Sequence, residues 1–199
     1  MSHLYNVADI YQVLKEFIYV RGYKAEEEYL TNDEINKSIR ATNMVVINCF
    51  NGKEKISIVL TPSDSVITGR RAEFIKMVKK LPKNNEIILI SNKLVSTSIK
   101  EYIKSEGIAL SSYMWNMFTI NMTKAPLVPT HEILTSSEVT RLEEELFKDS
   151  KEFPNISVDD VQSIWLGAKV GDVIKITRNS TYSGKNIAYR RVVRDDNIM

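Results

Sequence analysis

A chain of 199 residues that is 43% hydrophobic and 26% charged has enough apolar material for one large core or two modest ones, and its single cysteine excludes an internal disulfide framework. No apolar run approaches the ~18 residues of a membrane helix, and the N-terminus lacks a basic segment followed by an uninterrupted apolar one, so a soluble intracellular protein is expected. The net charge of +2 is unevenly divided: residues 1 to 126 hold 17 Lys+Arg against 13 Asp+Glu and residues 127 to 199 hold 10 against 12, so any nucleic acid is expected at the first part.

Residues 4 to 20 space Leu4, Val7, Tyr11, Leu14 and Ile18 three and four apart, with Ile10 and Phe17 widening the stripe, which predicts an amphipathic helix ending near Gly22. Thr31 to Glu34 forms a capping box that opens a short second helix. Strands are expected over 43 to 50 and 56 to 60, joined through Asn51-Gly52, with Pro62 stopping the second. A helix over 69 to 81 would turn Phe74, Ile75, Val78 and Leu81 inward and Arg70, Arg71, Lys76, Lys79 and Lys80 outward. A buried strand over 86 to 90, a helix over 98 to 106 capped by Ser98, and a strand over 116 to 122 complete a sheet with intervening helices. Pro126 and Pro129 favour an extended connection and mark a boundary between 126 and 127. Beyond it the pattern predicts a strand over 131 to 134, helices over 136 to 148 and 157 to 166, and strands over 172 to 178 and 186 to 193. Thr135 to Glu138 is a second capping box, while Ser157 with Asp159 and Asp160 is expected to cap the later helix.

Within this last third, Trp165-Leu166-Gly167-Ala168-Lys169-Val170-Gly171 reads as a helix ending in glycine and a tight turn closed by a second glycine, followed by the β-branched run Val173 to Arg178. Around it stand Val128-Pro129-Thr130-His131, Thr135 to Glu138, Pro154-Asn155-Ile156, Ser183-Gly184-Lys185 and Tyr189-Arg190. In this order and spacing, residues 127 to 193 resemble the C-terminal domain of the fifth subunit shared by eukaryotic nuclear RNA polymerases, a family with archaeal members. Departures are Asn155 for the usual arginine of Pro-Arg-Ile, Val161 for the proline after the helix-opening aspartate, and Asn179 for the proline after the strand arginine. Arg21-Gly22-Tyr23 and the order of elements over 1 to 126 are similar to the family's eukaryotic N-terminal jaw, which has an endonuclease-like fold.

Candidate chemistry is sparse. His3 and His131 with Cys49 give neither metal-ligand spacing nor a catalytic triad, and Cys49 within Met44 to Phe50 reads as a small core hydrophobe. The run Glu143-Glu144-Glu145 reads as a solvated face or a docking edge. An endonuclease-like site needs acidic metal ligands and a lysine at adjacent strand ends, and the matching strands offer only Asn48, Asn51 and Lys53, with Glu54 in a turn. The loop Asn92 to Lys100 leads into a helix N-terminus, where free N–H groups, hydroxyls and two lysines can meet an anion; the alternative reading is an ordinary capped helix.

The resemblance thus implies an α+β or α/β chain: an endonuclease-like jaw over 1 to 126, a sheet with flanking helices, and a small α+β assembly domain with a mixed sheet over 127 to 199. It implies a non-catalytic subunit of a multisubunit DNA-directed RNA polymerase, without cofactor, metal or membrane. Its partners would be the largest subunit, the small sixth subunit and downstream double-stranded DNA. The family's DNA-facing loop falls on Ser96-Thr97-Ser98-Ile99-Lys100, so Lys93, Ser96, Thr97, Ser98 and Lys100 become candidates for DNA contact. His131, Trp165, Gly167, Lys169, Gly171, Lys175, Arg178, Gly184, Tyr189 and Arg190 become candidates for subunit contact. The alternatives are a nuclease, true or degenerate, and a free-standing DNA-binding adaptor. Abundant Asn, Ile and Lys suit an AT-rich genome, so the implied location is the nucleus if the chain is cellular, and a virion or cytoplasmic viral factory if a large DNA virus encodes it.

Overall fold

The computed structural model describes residues 7–52, 54–62, 75–76, 78–79, 81, 86–180 and 184–195. Two units emerge, Met1–Ile120 and Asn121–Met199, each with its own sheet.

In the first unit, α1 (Val7–Val20) buries Ala8, Ile10, Tyr11, Leu14, Phe17 and Ile18, the stripe its spacing predicts. Gly22 then takes φ 72°, the left-handed turn that glycine enters without strain. After β1 (Lys24–Ala25), the helix α2 (Asn32–Thr42) opens on the expected capping box: Thr31 accepts from the Glu34 N–H, and Glu34 accepts from the Thr31 N–H at 2.8 Å. The strands β2 (Val45–Phe50) and β3 (Lys55–Thr61) form an antiparallel hairpin, and β4 (Glu86–Ser91) and β5 (Leu110–Met114) add in parallel, giving the order β1-β2-β3-β4-β5. Side chains alternate along these strands. Val59, Ile87 and Leu89 meet Val95, Ile99 and Ile103 of the segment containing α3 (Thr97–Ser105), while Ile58, Leu60, Ile88 and Ile90 fill the opposite face.

Two expectations fail here. The final strand runs over 110 to 114, not 116 to 122. Ser111 and Ser112 gave it a loop-like composition, yet the Ser112 hydroxyl accepts from the Val95 N–H at 3.3 Å and so satisfies a buried donor. Residues Trp115–Phe118 instead form a 3-10 helix whose buried Trp115 and Phe118 stand three apart; the Trp115 indole donates to the Ile90 carbonyl at 3.3 Å, and Phe118 meets Phe17 edge-to-face at 5.0 Å. The cap of α3 is Ser96, not Ser98, because buried Val95 fixes the entry and the Ser96 carbonyl accepts from the Ile99 and Lys100 N–H groups, both at 3.1 Å. The helix expected over 69 to 81 falls mostly outside the described residues, as do Phe74, Arg70, Arg71 and Lys80; of the rest, Val78 is buried and Lys76 and Lys79 are exposed. Leu4, His3 and Lys53 also lie outside them.

The second unit starts with a 3-10 turn, Met122–Lys124, whose Met122 carbonyl accepts from the Gln162 side chain at 3.2 Å. Its sheet has the order β6-β8-β9-β7, with β6 (Thr130–Ile133), β7 (Asn155–Ser157), β8 (Val173–Ser180) and β9 (Gly184–Val193). All pairs are antiparallel except β7 with β9, so both sheets of the chain are mixed. On one face α4 (Ser136–Leu146) and Phe153 pack Leu142 against Val173, and on the other the end of α5 (Val161–Leu166) and Ala168 meet Ile174, Ile176 and Val192. Thr135 and Glu138 complete the expected capping box. The cap of α5 is Asp160, whose side chain accepts from the Gln162 N–H at 2.8 Å; Ser157, expected in that role, belongs to β7 because residues 155 to 157 align with Arg191 to Val193. With α1 to α5, the described residues make an α+β chain.

Candidate functional site

In the first unit, β4 ends at Ser91, whose hydroxyl donates to the Lys93 carbonyl at 2.6 Å, and Asn92 ties the same loop to the Pro62 carbonyl at 3.0 Å. These two bonds bend the chain so that Lys93 is exposed, Val95 dives into the core, and Ser96 and Thr97 return to the surface. The first intrahelical bonds of α3 run from the Ile99 and Lys100 N–H groups to the Ser96 carbonyl, so the Thr97 and Ser98 N–H groups stand ahead of them at the positive end of the helix, and exposed Lys100 stands one turn on from Ser96. Thus Lys93, Ser96, Thr97 and Lys100 are brought to one helix start, with Ser98 on the same first turn. Between residues 53 and 124 the sequence holds 12 Lys+Arg against 6 Asp+Glu, a basic balance in the stretch that contains this helix start.

Cys49 is a core residue, as its apolar run suggests: the thiol is fully buried and burial pushes its pKa up to about 12, far from a reactive thiolate. Among the described residues no group of three or more His, Cys, Asp or Glu is placed to hold a metal ion, and no helix is long and apolar enough to cross a membrane.

In the second unit the candidates fall at three places. The first is the turn after α5. Gly167 has φ 74° and donates to the Ile164 carbonyl at 3.2 Å; Gly171 has φ 101° and donates to Val192 of β9 at 2.9 Å. Asp172 accepts from the Lys169 N–H at 2.7 Å, and its own N–H returns to the Lys169 carbonyl at 3.0 Å. The loop is therefore a fixed shape that exposes Lys169, Val170 and Gly171, while Trp165 is fully buried just before it. The second place is the face beside α4. Lys175 and Tyr189 are direct cross-strand partners, and with Leu134, Glu138, Arg141, Leu142 and Glu145 they line a recess of about 180 Å³. Lys175 reaches Glu132 at 3.8 Å, and Tyr189 stacks on Phe153 at 6.0 Å. The third is the far end of the β8–β9 ribbon, where Arg178 and Gly184 are exposed. Arg178 lines a second cavity of about 400 Å³ with Thr177, Asn179 and Pro126 to Thr130. Arg190 is turned away, donating to the Asn155 carbonyl at 2.9 Å, and the half-buried His131 bonds the Pro129 carbonyl through Nδ1 at 2.7 Å.

Sequence reasoning missed Arg141 and Glu145 as lining of the recess. Their i to i+4 spacing on α4 was the available signal, but only the register opposite Lys175 shows what they face. It also missed the cavity beside Pro129. There β6 stops at Thr130 because Pro129 has no N–H and the Val128 N–H is turned to Ala125 at 2.9 Å, while β8 runs on to Ser180.

What these surfaces offer is contact, with helix donors for an anion on one unit and partly bare strands on the other. A family model described as RNA polymerase Rpb5, C-terminal domain, matches residues 120–192. DNA-directed RNA polymerase subunit Rpo5 of Sulfolobus acidocaldarius is 40% identical over 74 residues, covering 37% of this chain and 88% of that protein. Subunit rpabc1 of DNA-directed RNA polymerases I, II and III from Dictyostelium discoideum is 26% identical over 124 residues, or 61% of this chain and 63% of that one. The RPB5 homolog of African swine fever virus is 24% identical over 116 residues, 55% and 57% of the two chains. The last two matches are longer than the second unit and so extend into the first. The chain belongs to the Rpb5/Rpo5 family of DNA-directed RNA polymerase subunits.

Proposed function

We propose that residues 127 to 199 form the assembly domain, anchoring the chain to the largest polymerase subunit with the small sixth subunit nearby. Residues 1 to 126 act as an endonuclease-like jaw that flanks downstream double-stranded DNA. The subunit is non-catalytic, and metal-dependent nucleotidyl transfer belongs to the large subunits. In this reading the protein works in the nucleus, or in a viral factory or virion if a virus encodes it. The observation that carries the proposal is the division of surfaces: the archaeal relative is covered almost entirely by a stretch the size of the second unit, which has the acidic balance, while the basic balance and the exposed helix start lie in the first. DNA held at Lys93 and Lys100 would be bound through phosphate, without regard to base sequence.

Site-specific photo-crosslinking in the assembled polymerase tests it. A crosslinker at position 169 should yield adducts with the largest subunit, and one at position 100 should yield adducts with downstream DNA. DNA adducts from position 169, or adducts from neither position, would overturn the assignment.

A further inference from the structure

We propose that Phe147 is a rigid apolar knob that the second unit inserts into an apolar pocket with a basic rim on a neighbouring polypeptide of the polymerase. The proposal rests on the reading of the chain as a polymerase subunit and adds a contact outside the ten candidates above.

Phe147 follows the last residue of α4 and is 96% exposed, with Leu146 beside it 49% exposed. Single exposed apolar residues need no explanation. Here the exposure coincides with backbone strain, because Phe147 sits at φ 50°, ψ 42°, a left-handed position that helix ends usually give to glycine or asparagine. The isolated chain therefore gains nothing from phenylalanine at this site: the ring packs little surface and its Cβ disfavours the backbone. A gain has to come from what the ring touches outside the chain.

The turn is built to fix the backbone that carries the ring. The Phe147 N–H donates to the Glu143 carbonyl, which also accepts from the Lys148 N–H at 3.1 Å, and the Glu143 carboxylate accepts from the Ser150 N–H at 2.8 Å. Asp149 accepts from the Lys151 N–H at 2.8 Å and starts the next 3-10 turn, Ser150–Glu152. With the backbone already fixed on both sides, binding the ring costs side-chain freedom but little backbone freedom.

The surrounding charge selects the partner. From 143 to 152 the chain carries Glu143, Glu144, Glu145, Asp149 and Glu152 against Lys148 and Lys151, five acidic less two basic side chains, or −3. Such a rim repels phosphate, whether of nucleic acid or of an anionic membrane, and complements a protein pocket edged by lysine or arginine.

The test is a competition. Wild-type and variant full-length chains carrying different tags are expressed together with the polymerase, which is purified through its largest subunit, and the ratio of the two chains is read. Phe147→Gly should be under-represented by about tenfold or more, the loss expected of an aromatic anchor, and Glu144→Lys with Glu145→Lys should be depleted in the same direction. The melting temperature of the isolated full-length Phe147→Gly chain should equal or exceed that of wild type, since glycine suits the left-handed position. Equal incorporation would overturn the proposal. So would a lowered melting temperature, which would make the ring part of the fold, or a dimer of the free chain abolished by Phe147→Gly, which would assign the knob to a second copy. Absence of the wild-type chain from the polymerase would overturn the underlying reading, and this inference with it.

Discussion

In the first unit β3 and β4 are buried along nearly their whole length, with only Lys55 exposed and Glu86 half-buried, whereas in the second unit the first five of the ten residues of β9 are exposed. A sheet covered on both faces by its own chain has only loops and helix ends left for recognition. A ribbon that runs past its covering helices keeps bare strand and bare side chains for something else to cover. The same contrast holds for single side chains. Phe118 of the first unit is fully buried against Phe17, while Phe147 of the second stands in solvent. The contrast is between these two rings and not between all aromatics, since the second unit also buries Trp165 and the first exposes Tyr19.

The sharpest way to break that contrast is to truncate the two phenylalanines. Phe118→Ala should destabilise the chain by about 3–5 kcal/mol, since the cavity opens between a 3-10 helix and α1 with no solvent-facing group to collapse into it. Phe147→Ala should change thermal stability very little. Similar melting shifts for both would show that the difference in burial carries no energetic meaning.

Next in size is the turn that displays Lys169. Gly167→Val and Gly171→Val each place a β-branched residue at positive φ, at 74° and 101°, and each should cost about 1–3 kcal/mol in thermal unfolding. At Gly171 no atom lies within 4 Å of an added Cβ, so its cost would be conformational rather than steric. A variant as stable as wild type would mean that the turn relaxes to a different shape.

This turn was legible in the sequence because its determinants lie within a few residues of one another, and so were both capping boxes and Gly22. What escaped were features settled by distant partners. Serines at 111 and 112 look like a loop until β4 is beside them, and Asn155 to Ser157 is a strand only because β9 supplies its neighbour. The cap at Ser98 was misjudged by two positions, and of Ser157, Asp159 and Asp160 expected together at the later helix it is Asp160 that caps, since several oxygen-bearing side chains stood in a row and buried Val95 or strand pairing chose among them. For the candidate site, the helix start at Ser96 to Lys100 was visible as a local pattern. The recess beside Tyr189 was not, because Arg141, Lys175 and Tyr189 are separated along the chain and meet only through the register of β8 with β9.

The capping boxes provide a matched pair, one in each unit, and a pH test. The Thr31 N–H bonded to Glu34, and the Thr135 N–H bonded to Glu138, hold each carboxyl below the usual glutamate range. A depressed folded-state pKa adds stability that is fully present above the ordinary glutamate value and is lost as pH falls through the folded value. Glu34→Gln and Glu138→Gln should therefore melt below wild type at neutral pH and converge with it as the pH falls through the lowered folded-state value. A difference that persists in acid would trace the loss to side-chain shape, not charge.

The smallest expected effect separates the units most finely, through two fully buried serines. Ser57 on β3 donates to the Asn48 amide oxygen at 2.8 Å, whereas the Ser163 hydroxyl on α5 is buried with no hydrogen-bond partner among the described residues. Removing the buried hydroxyl takes a donor from the half-buried Asn48 amide oxygen, so Ser57→Ala should cost about 1 kcal/mol. Removing an unpaired hydroxyl leaves nothing behind. Ser163→Ala relieves a desolvation cost and places the better helix former in α5, so its melting temperature should match or slightly exceed wild type. The opposite outcome is informative. A clear loss of stability in Ser163→Ala alone would mean that the hydroxyl does find an acceptor in the folded chain, and that the packing between α5 and its surroundings is tighter and more polar than the contrast between the units implies.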